Sequence, residues 1–235
     1  MSPPALSVVI PAYNEEARLG PTLARVTAWL DARGGTWEVI VADDGSKDRT
    51  REIATADPRV RLVALPQNRG KGAAVRAGMV AATGDRVLFS DADLSTPIEE
   101  LDKLAAELDR GADIAIGSRA LASSDIKVRQ HPMREMMGRT FNRIVRLLVL
   151  GGIKDTQCGF KLFTRAAAHE LFGKATVDGF AFDVEVLWLA KDRYRIAEVP
   201  VVWRHVEESK VSPGIDAARM FADIVKLRLR HRRRG

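Results

Sequence analysis

The chain has 235 residues, 46% hydrophobic and 29% charged, with a formal net charge of +6. That length can bury the core of one α/β domain, and the charge density excludes a membrane-spanning composition. A single cysteine, Cys158, excludes a disulfide framework and fits a reducing compartment.

The positive charge is uneven. Lys226, Arg228, Arg230, Arg232, Arg233 and Arg234 all fall in the last ten residues, so the body of the chain is nearly balanced. The start, Met1-Ser2-Pro3-Pro4, has no secretory pattern. No run approaches the roughly 18 consecutive apolar residues of a membrane helix. The sequence therefore predicts a cytoplasmic protein, soluble or lying on a surface.

Leu6-Ser7-Val8-Val9-Ile10 reads as a buried first strand ended by Pro11. Leu19, Leu23, Val26 and Leu30 follow at helical spacing, and Gly34-Gly35 stops that helix. Trp37 to Ala42 is a second strand, ending at Asp43-Asp44-Gly45-Ser46, with a helix from about Asp48. Val60 to Ala64 is a third strand. Asn68-Arg69-Gly70-Lys71-Gly72 is its loop, and Ala73 to Ala82 is helical. Arg86 to Ser90 is a fourth strand, followed by Asp91-Ala92-Asp93 and a helix marked by Leu101, Leu104 and Leu108. Ile114 to Ile116 is a fifth. This alternation predicts a doubly wound, mostly parallel sheet with a Rossmann-like first half.

The second half is less regular. Arg134 to Leu150 has Phe141, Ile144, Val145 and Leu148 on one face and Arg139, Arg143 and Arg146 opposite. Asp155 to Phe163 reads as loop into strand, and Phe182 to Leu187 begins a helix. Ala197 to Trp203 reads as a strand and Arg204 to Pro213 as a polar loop. Asp216 to Arg230 forms a basic amphipathic helix. The organisation expected is one domain over 1–213 with an appended helix and tail over 214–235.

Three loops at strand ends carry carboxylates, and all three fall on the edge where open α/β sheets bind ligands. Asp91 and Asp93 stand two residues apart, and two close carboxylates repel, so they invite a cation. Hard oxygen donors suit Mg²⁺ or Mn²⁺ bridging to a substrate diphosphate. Solvated Asp pairs are common in loops; position at a strand end beside Asp43 and Asp44 favours the shared site. Asp43 to Ser46 also has two readings, a turn with a capping serine or an acceptor for a base or ribose. Tyr13 could stack on a base in the same crevice. Arg119, Arg134, Arg204 and Lys210 are either solvated charges or a set that clamps phosphates. His205 reads as structural, and Cys158 as a small buried residue.

In this order, Pro11-Ala12-Tyr13-Asn14-Glu15-Glu16, Asp43-Asp44-Gly45-Ser46, Asn68 to Ala73 and Asp91-Ala92-Asp93 resemble the family 2 glycosyltransferases of the GT-A fold. Asp155 to Phe163, Phe182 to Glu185, Val199 to Trp203 and Ser209-Lys210 resemble the dolichyl- and polyprenyl-phosphate sugar synthases. The dolichyl-phosphate β-glucosyltransferases are the nearest of these, and the mannosyl synthases come second.

The resemblance implies inverting transfer of a hexose from a nucleotide diphosphate sugar to a lipid phosphate. UDP-glucose is the donor favoured and GDP-mannose the second. It further implies that Pro11, Tyr13, Glu15, Val41 and Asp43 line the nucleotide pocket, with Lys71, Ala92 and Arg204 also on the donor. Asp91 and Asp93 would hold the metal-diphosphate, and Asp93, Arg119, Arg134 and Lys210 would serve the chemistry. Ser95 departs from the pattern, since the mannosyl synthases often carry Gln there; its hydroxyl is assigned to the metal beside Asp91 and Asp93. The acceptor implies peripheral contact with the cytoplasmic membrane face, which the basic helices suit. The basic tail comes with no nucleic-acid motif, so no nucleic-acid partner is expected. Rival readings are a soluble phosphate-bearing acceptor, a nucleotidyltransferase and a catalytically silent binding module.

Overall fold

A computed structural model describes residues 2–128, 151–204 and 215–232. The helix expected over 134–150, the loop after Arg204, and Arg134, His205 and Lys210 lie outside the described residues.

Seven strands form one sheet. In chain order they are β1 (Leu6–Ala12), β2 (Trp37–Asp43), β3 (Val60–Ala64), β4 (Arg86–Ser90), β5 (Ile114–Ser118), β7 (Phe160–Thr164) and β8 (Ile196–Pro200). Their spatial order is β3-β2-β1-β4-β7-β5-β8. β1, β2, β3 and β4 are mutually parallel, with Leu6 opposite Trp37 and Arg86. The winding runs outward from β1 to β3, then crosses back to β4 on the other side of β1. That reversal opens a crevice at the carboxyl ends of β1 and β4.

The central strands are apolar on both faces because both are covered. Val9, Val87 and Phe89 face a core built with α3 (Lys71–Ala81), α5 (Arg165–Lys174) and α6 (Phe182–Ala190). Val8, Ile10 and Leu88 face the other core, with α1 (Leu19–Arg33) and α4 (Leu101–Asp109). The short α2 (Thr50–Thr55) joins β2 to β3. The two-residue period of β1 and β4 divides their side chains between the layers.

The sheet is mostly parallel, as expected, and its one antiparallel member among the described strands is β7, between β4 and β5. Hydrophobic spacing gives a strand but not its direction. The pairing of Ser90 with Phe160 puts the start of β7 at the carboxyl edge of β4. Residues 155–159 therefore arrive at the site edge, where a parallel strand would have delivered its far end. The run from Ala197 to Trp203 also divides in two. β8 ends at Pro200, and β9 (Val202–Arg204) leaves to pair with β6 (Asp125–Val128) in a separate two-stranded sheet.

The C-terminal helix α7 (Ile215–Arg232) is not a detached appendage. Met220, Ile224 and Leu227 are buried in the same core as α3 and α6. Phe221, Val225 and Leu229 form a second stripe on the helix, exposed by 46%, 38% and 57%.

Candidate active site

The loop after β4 is tied down from three sides. The Asp91 amide donates to the Gly159 carbonyl at 3.0 Å, the Leu94 amide donates to Asp91's own carbonyl, and the Thr22 hydroxyl donates to the Ala92 carbonyl at 2.6 Å. Leu94 adopts φ +46°, a left-handed conformation uncommon for a side chain of its size. That turn lets the Ser95 amide donate back to Asp93 Oδ1 at 2.9 Å. The Ser95 hydroxyl is also bonded to Asp93, and the Ser95 carbonyl accepts from the Arg204 amide at 2.8 Å. Ser95 thus braces Asp93, and Arg204 reaches the loop through its backbone.

The two acids differ in their surroundings. Lys71, the first residue of α3, places its ammonium 2.6 Å from Asp91 Oδ1. The contact is a short ion pair, so in this state the ammonium occupies the Asp91 oxygen. Burial, and then the charge of Asp91, raises the Asp93 carboxyl above its ordinary value. Two carboxylates two residues apart at one strand end, the charge of one raising the pKa of the other, are a hard-oxygen donor set that fits a divalent cation. No cluster of three or more His, Cys, Asp or Glu forms a closed metal cage among the described residues. A Mg²⁺ or Mn²⁺ ion here would complete its coordination with water and substrate phosphate.

Glycine is required beside Asp91. A Cβ on Gly159 would lie 1.9 Å from Asp91 Oδ2, so the carboxylate occupies the space a side chain would need. Gly159 belongs to the segment that the antiparallel strand brings to this edge.

The residues expected on the nucleotide side stand at the ends of the neighbouring strands. Pro11 is buried at the end of β1, and Tyr13 and Glu15 are half-buried in the loop beyond. Asn14, at φ +52°, donates its amide to the Ser46 hydroxyl and accepts from the Lys47 amide, joining the loops after β1 and β2. Glu15 grips the Arg18 guanidinium with both oxygens, at 2.7 and 3.0 Å. Asp43 is fully buried and accepts from Arg51 Nε at 2.6 Å and from the Ser46 amide. Asp44 accepts the amides of Arg69 and Gly70, each at 2.8 Å, and so sets the loop that launches Lys71. Burial raises the Asp44 carboxyl above its usual range despite those bonds. The Val41 side chain is enclosed in the core, so its bearing on a nucleotide pocket is through the strand that ends at Asp43.

Arg119 follows β5 and meets the segment before β7. Its guanidinium binds Asp155 in fork geometry, at 2.7 and 2.9 Å, and its amide donates to the same carboxylate. It lies 5.5 Å from the centre of the Trp203 ring. Burial opposes ionisation of Asp155, but the charge of Arg119 outweighs it and holds the carboxyl well below its ordinary value. Glu198 caps the amides of Lys154 and Asp155. With 27% of its side chain exposed, Arg119 is a fixed cation at the rim.

Sequence reasoning did not single out two residues beneath this floor. Lys161 and Asp183 are 2% and 5% exposed and pair at 2.5 Å. The available signal was a charge inside an apolar run, in Phe160-Lys161-Leu162-Phe163 and in Phe182-Asp183-Val184. Cys158 is 1% exposed, as expected of a small core residue.

The site thus offers a metal-capable acid pair, a lysine, a braced arginine and a crevice at the strand reversal. The sequence model described as "Glycosyl transferase family 2" matches residues 7–172. A human dolichyl-phosphate beta-glucosyltransferase is 38% identical over 96% of this chain and 75% of its own. A dolichyl-phosphate beta-glucosyltransferase of Trichomonas vaginalis is 40% identical over 93% of this chain and 69% of its own. Among solved structures, glucosyl-3-phosphoglycerate synthase of Mycobacterium tuberculosis, in complex with UDP, superposes with a TM-score of 0.72 at 25% identity, covering 96% of this chain and 80% of the other. Fold, site and sequence agree that the chain belongs to glycosyl transferase family 2.

Proposed function

We propose that the protein transfers glucose, with inversion, from UDP-glucose to a polyprenyl phosphate, using Mg²⁺ or Mn²⁺. The observation that carries this reading is the Asp91–Lys71–Asp93 arrangement at the strand reversal, in a chain so similar to dolichyl-phosphate beta-glucosyltransferases over nearly its whole length. The bound cation would offset charge on the leaving diphosphate. The rest falls to side chains. Pro11, Tyr13, Glu15 and Asp43 shape the nucleotide wall. Asp91 and Asp93 set the position of the diphosphate. Lys71 and Arg119 supply fixed positive charge between two anionic substrates, in a site that is already organised. A phosphate acceptor is anionic near neutral pH, so attack on the anomeric carbon needs no strong general base.

A lipid acceptor asks for contact with a membrane surface. The exposed Phe221, Val225 and Leu229 stripe shares its helix with Arg219, Lys226 and Arg228, a pattern that suits a peripheral, interfacial helix. Each cation near anionic lipid adds about 1 kcal/mol. The surface proposed is the cytoplasmic face. No helix among the described residues is long and apolar enough to cross a membrane.

The test is direct. Purified protein is incubated with Mn²⁺, a short polyprenyl phosphate and either UDP-glucose or GDP-mannose. Glucose transfer with release of UDP is expected. Mannose transfer would replace the donor, and transfer only to a small soluble phosphate ester would replace the acceptor. Release of pyrophosphate from a nucleoside triphosphate, with no sugar transfer, would mean a nucleotidyltransferase.

A further inference from the structure

Glu185, in the first turn of α6, is 3% exposed and has no part in the reaction as described. A carboxylate so enclosed needs hydrogen bonds in place of its water. Here one short loop supplies them. The Thr176 amide and hydroxyl each donate to Glu185 at 2.8 Å, and the Val177 amide donates at 2.7 Å. Glu185 thereby fixes the turn that leads into Asp178.

Asp178 grips the chain around Lys71 at three points. Its carboxylate binds the guanidinium of Arg69, at 2.9 Å, and that of Arg76. These lie two residues before Lys71 and five after it. The Asp178 carbonyl accepts the Ala73 amide at 3.2 Å. The approach is too close for side chains. A Cβ on Gly70 would collide with the Asp178 carbonyl oxygen, and one on Gly72 would fall 2.5 Å from that of Val177. From the other side, Asp44 holds the Arg69 and Gly70 amides. The backbone is thus fixed on both flanks of Lys71, whose ammonium reaches Asp91 at 2.6 Å. A lysine is a point charge on a flexible stem, so its charge is only as well placed as the backbone that carries it.

We propose that the loop Thr176–Gly179 is a clamp on the root of Lys71, with Asp178 as the positioning residue for that lysine and Glu185 as the anchor of the loop. This rests on the proposed function, in which Lys71 is a fixed positive charge between two anionic substrates. Asp178 acts through Lys71 and not on the substrates. Its side chain is 32% exposed, and those of Arg69 and Arg76 are 49% and 21% exposed. Ion pairs that face solvent contribute little to stability. Losing them displaces Lys71 and leaves the fold intact.

The first measurement needs no substrate. An ammonium held in an ion pair gives a proton–nitrogen NMR signal, which for Lys71 is assigned by its loss in Lys71→Met. The full chain is expected to show that signal, and Asp178→Ala is expected to lose it. The second measurement is transfer of radiolabelled glucose to a short polyprenyl phosphate with Mn²⁺. Asp178→Ala is expected to lower kcat about tenfold, within the roughly 10²-fold that a displacement of about 1 Å can cost. KM for UDP-glucose stays close to that of the wild type, because organised charge acts where charge develops. The double variant K71M/D178A is expected to match K71M, because Asp178 then has nothing left to position. If Asp178→Ala fails to fold, R69M/R76M removes the same two pairs from the other side and carries the same expectations. The proposal is overturned if the Lys71 signal is missing in the wild type or persists unchanged in Asp178→Ala. It is also overturned if Asp178→Ala lowers kcat as much in the K71M background as in the wild type. A wild type that transfers no glucose would overturn the proposed function, and the NMR signal would still decide whether Asp178 holds Lys71.

Discussion

The two halves of the sheet carry charge in different ways. In the first half, acids stand at or past the ends of β1, β2 and β4; backbone amides hold Asp44 and Asp93, and the cations that pair with Glu15, Asp43 and Asp91 are the partly exposed Arg18, Arg51 and Lys71. In the second half, acids are neutralised by full cations inside the protein, as in Arg119–Asp155 and Lys161–Asp183. The first arrangement leaves the amide-held Asp44 and Asp93 able to accept a ligand's charge. The second spends its acids on fixing cations. A site for two anionic substrates and a metal needs both, and the antiparallel β7 brings them to one edge.

That division can be attacked at its seam. Gly159→Ala pushes a methyl group into the space of the Asp91 carboxylate. A displacement of about 1 Å at a reacting site can cost on the order of 10²-fold in rate. Glucose transfer is expected to fall by about that factor while the far-ultraviolet circular dichroism spectrum is unchanged. Full activity would show that Asp91 need not sit where Gly159 allows it.

Asp155→Asn tests the second arrangement through stability. The folded carboxyl is held down to about 2, below its ordinary 3.8. A depressed acid contributes stability that is present above its unfolded value and lost as the pH falls through the folded one. The wild type is therefore expected to lose on the order of 2 kcal/mol from this pair between about pH 4 and pH 2. The variant should lack that part of the acid slope in urea titrations. An unchanged slope would place the Arg119 pair outside the energetics of folding.

The smallest effect concerns Cys158. Burial first, and Asp155 second, push its thiol up to about 11. Iodoacetamide at about pH 8 is expected to leave it unlabelled in the native protein and to label it fully in urea, as read by mass spectrometry. Rapid native labelling would mean that the floor under Asp91 opens.

The first half was legible because parallel α/β units announce themselves locally. β3 and β4 fall on the residues expected, and the acids of β1, β2 and β4 converge on one edge. The second half was less so because its geometry is set by long-range pairing. Phe160 to Phe163 reads as a strand in either direction, and only the pairing of Ser90 with Phe160 reveals which. Arg119 and Asp155 were visible as separate polar residues, 36 positions apart, with nothing local to couple them. Lys161 was hidden by its own neighbours, since a lysine among phenylalanines looks the same on a solvated edge as in a buried strand. The break at Val201 depends on β9 finding β6, which no pattern within Val199 to Trp203 encodes.

The insertion of β7 also bears on how the protein is made. β4 and β5 are complete when the ribosome has passed residue 118, yet neither can pair with the other, because the strand between them is still to come. Until Phe160–Thr164 emerges, the nascent chain holds two apolar strands with open inner edges, which invite mispairing. The same strand that closes this gap brings Gly159, the residue before it, against the acidic loop and carries Lys161 to Asp183. Closure of the sheet and completion of the candidate site are one late event, so a chain released early is both incompletely paired and without that site finished.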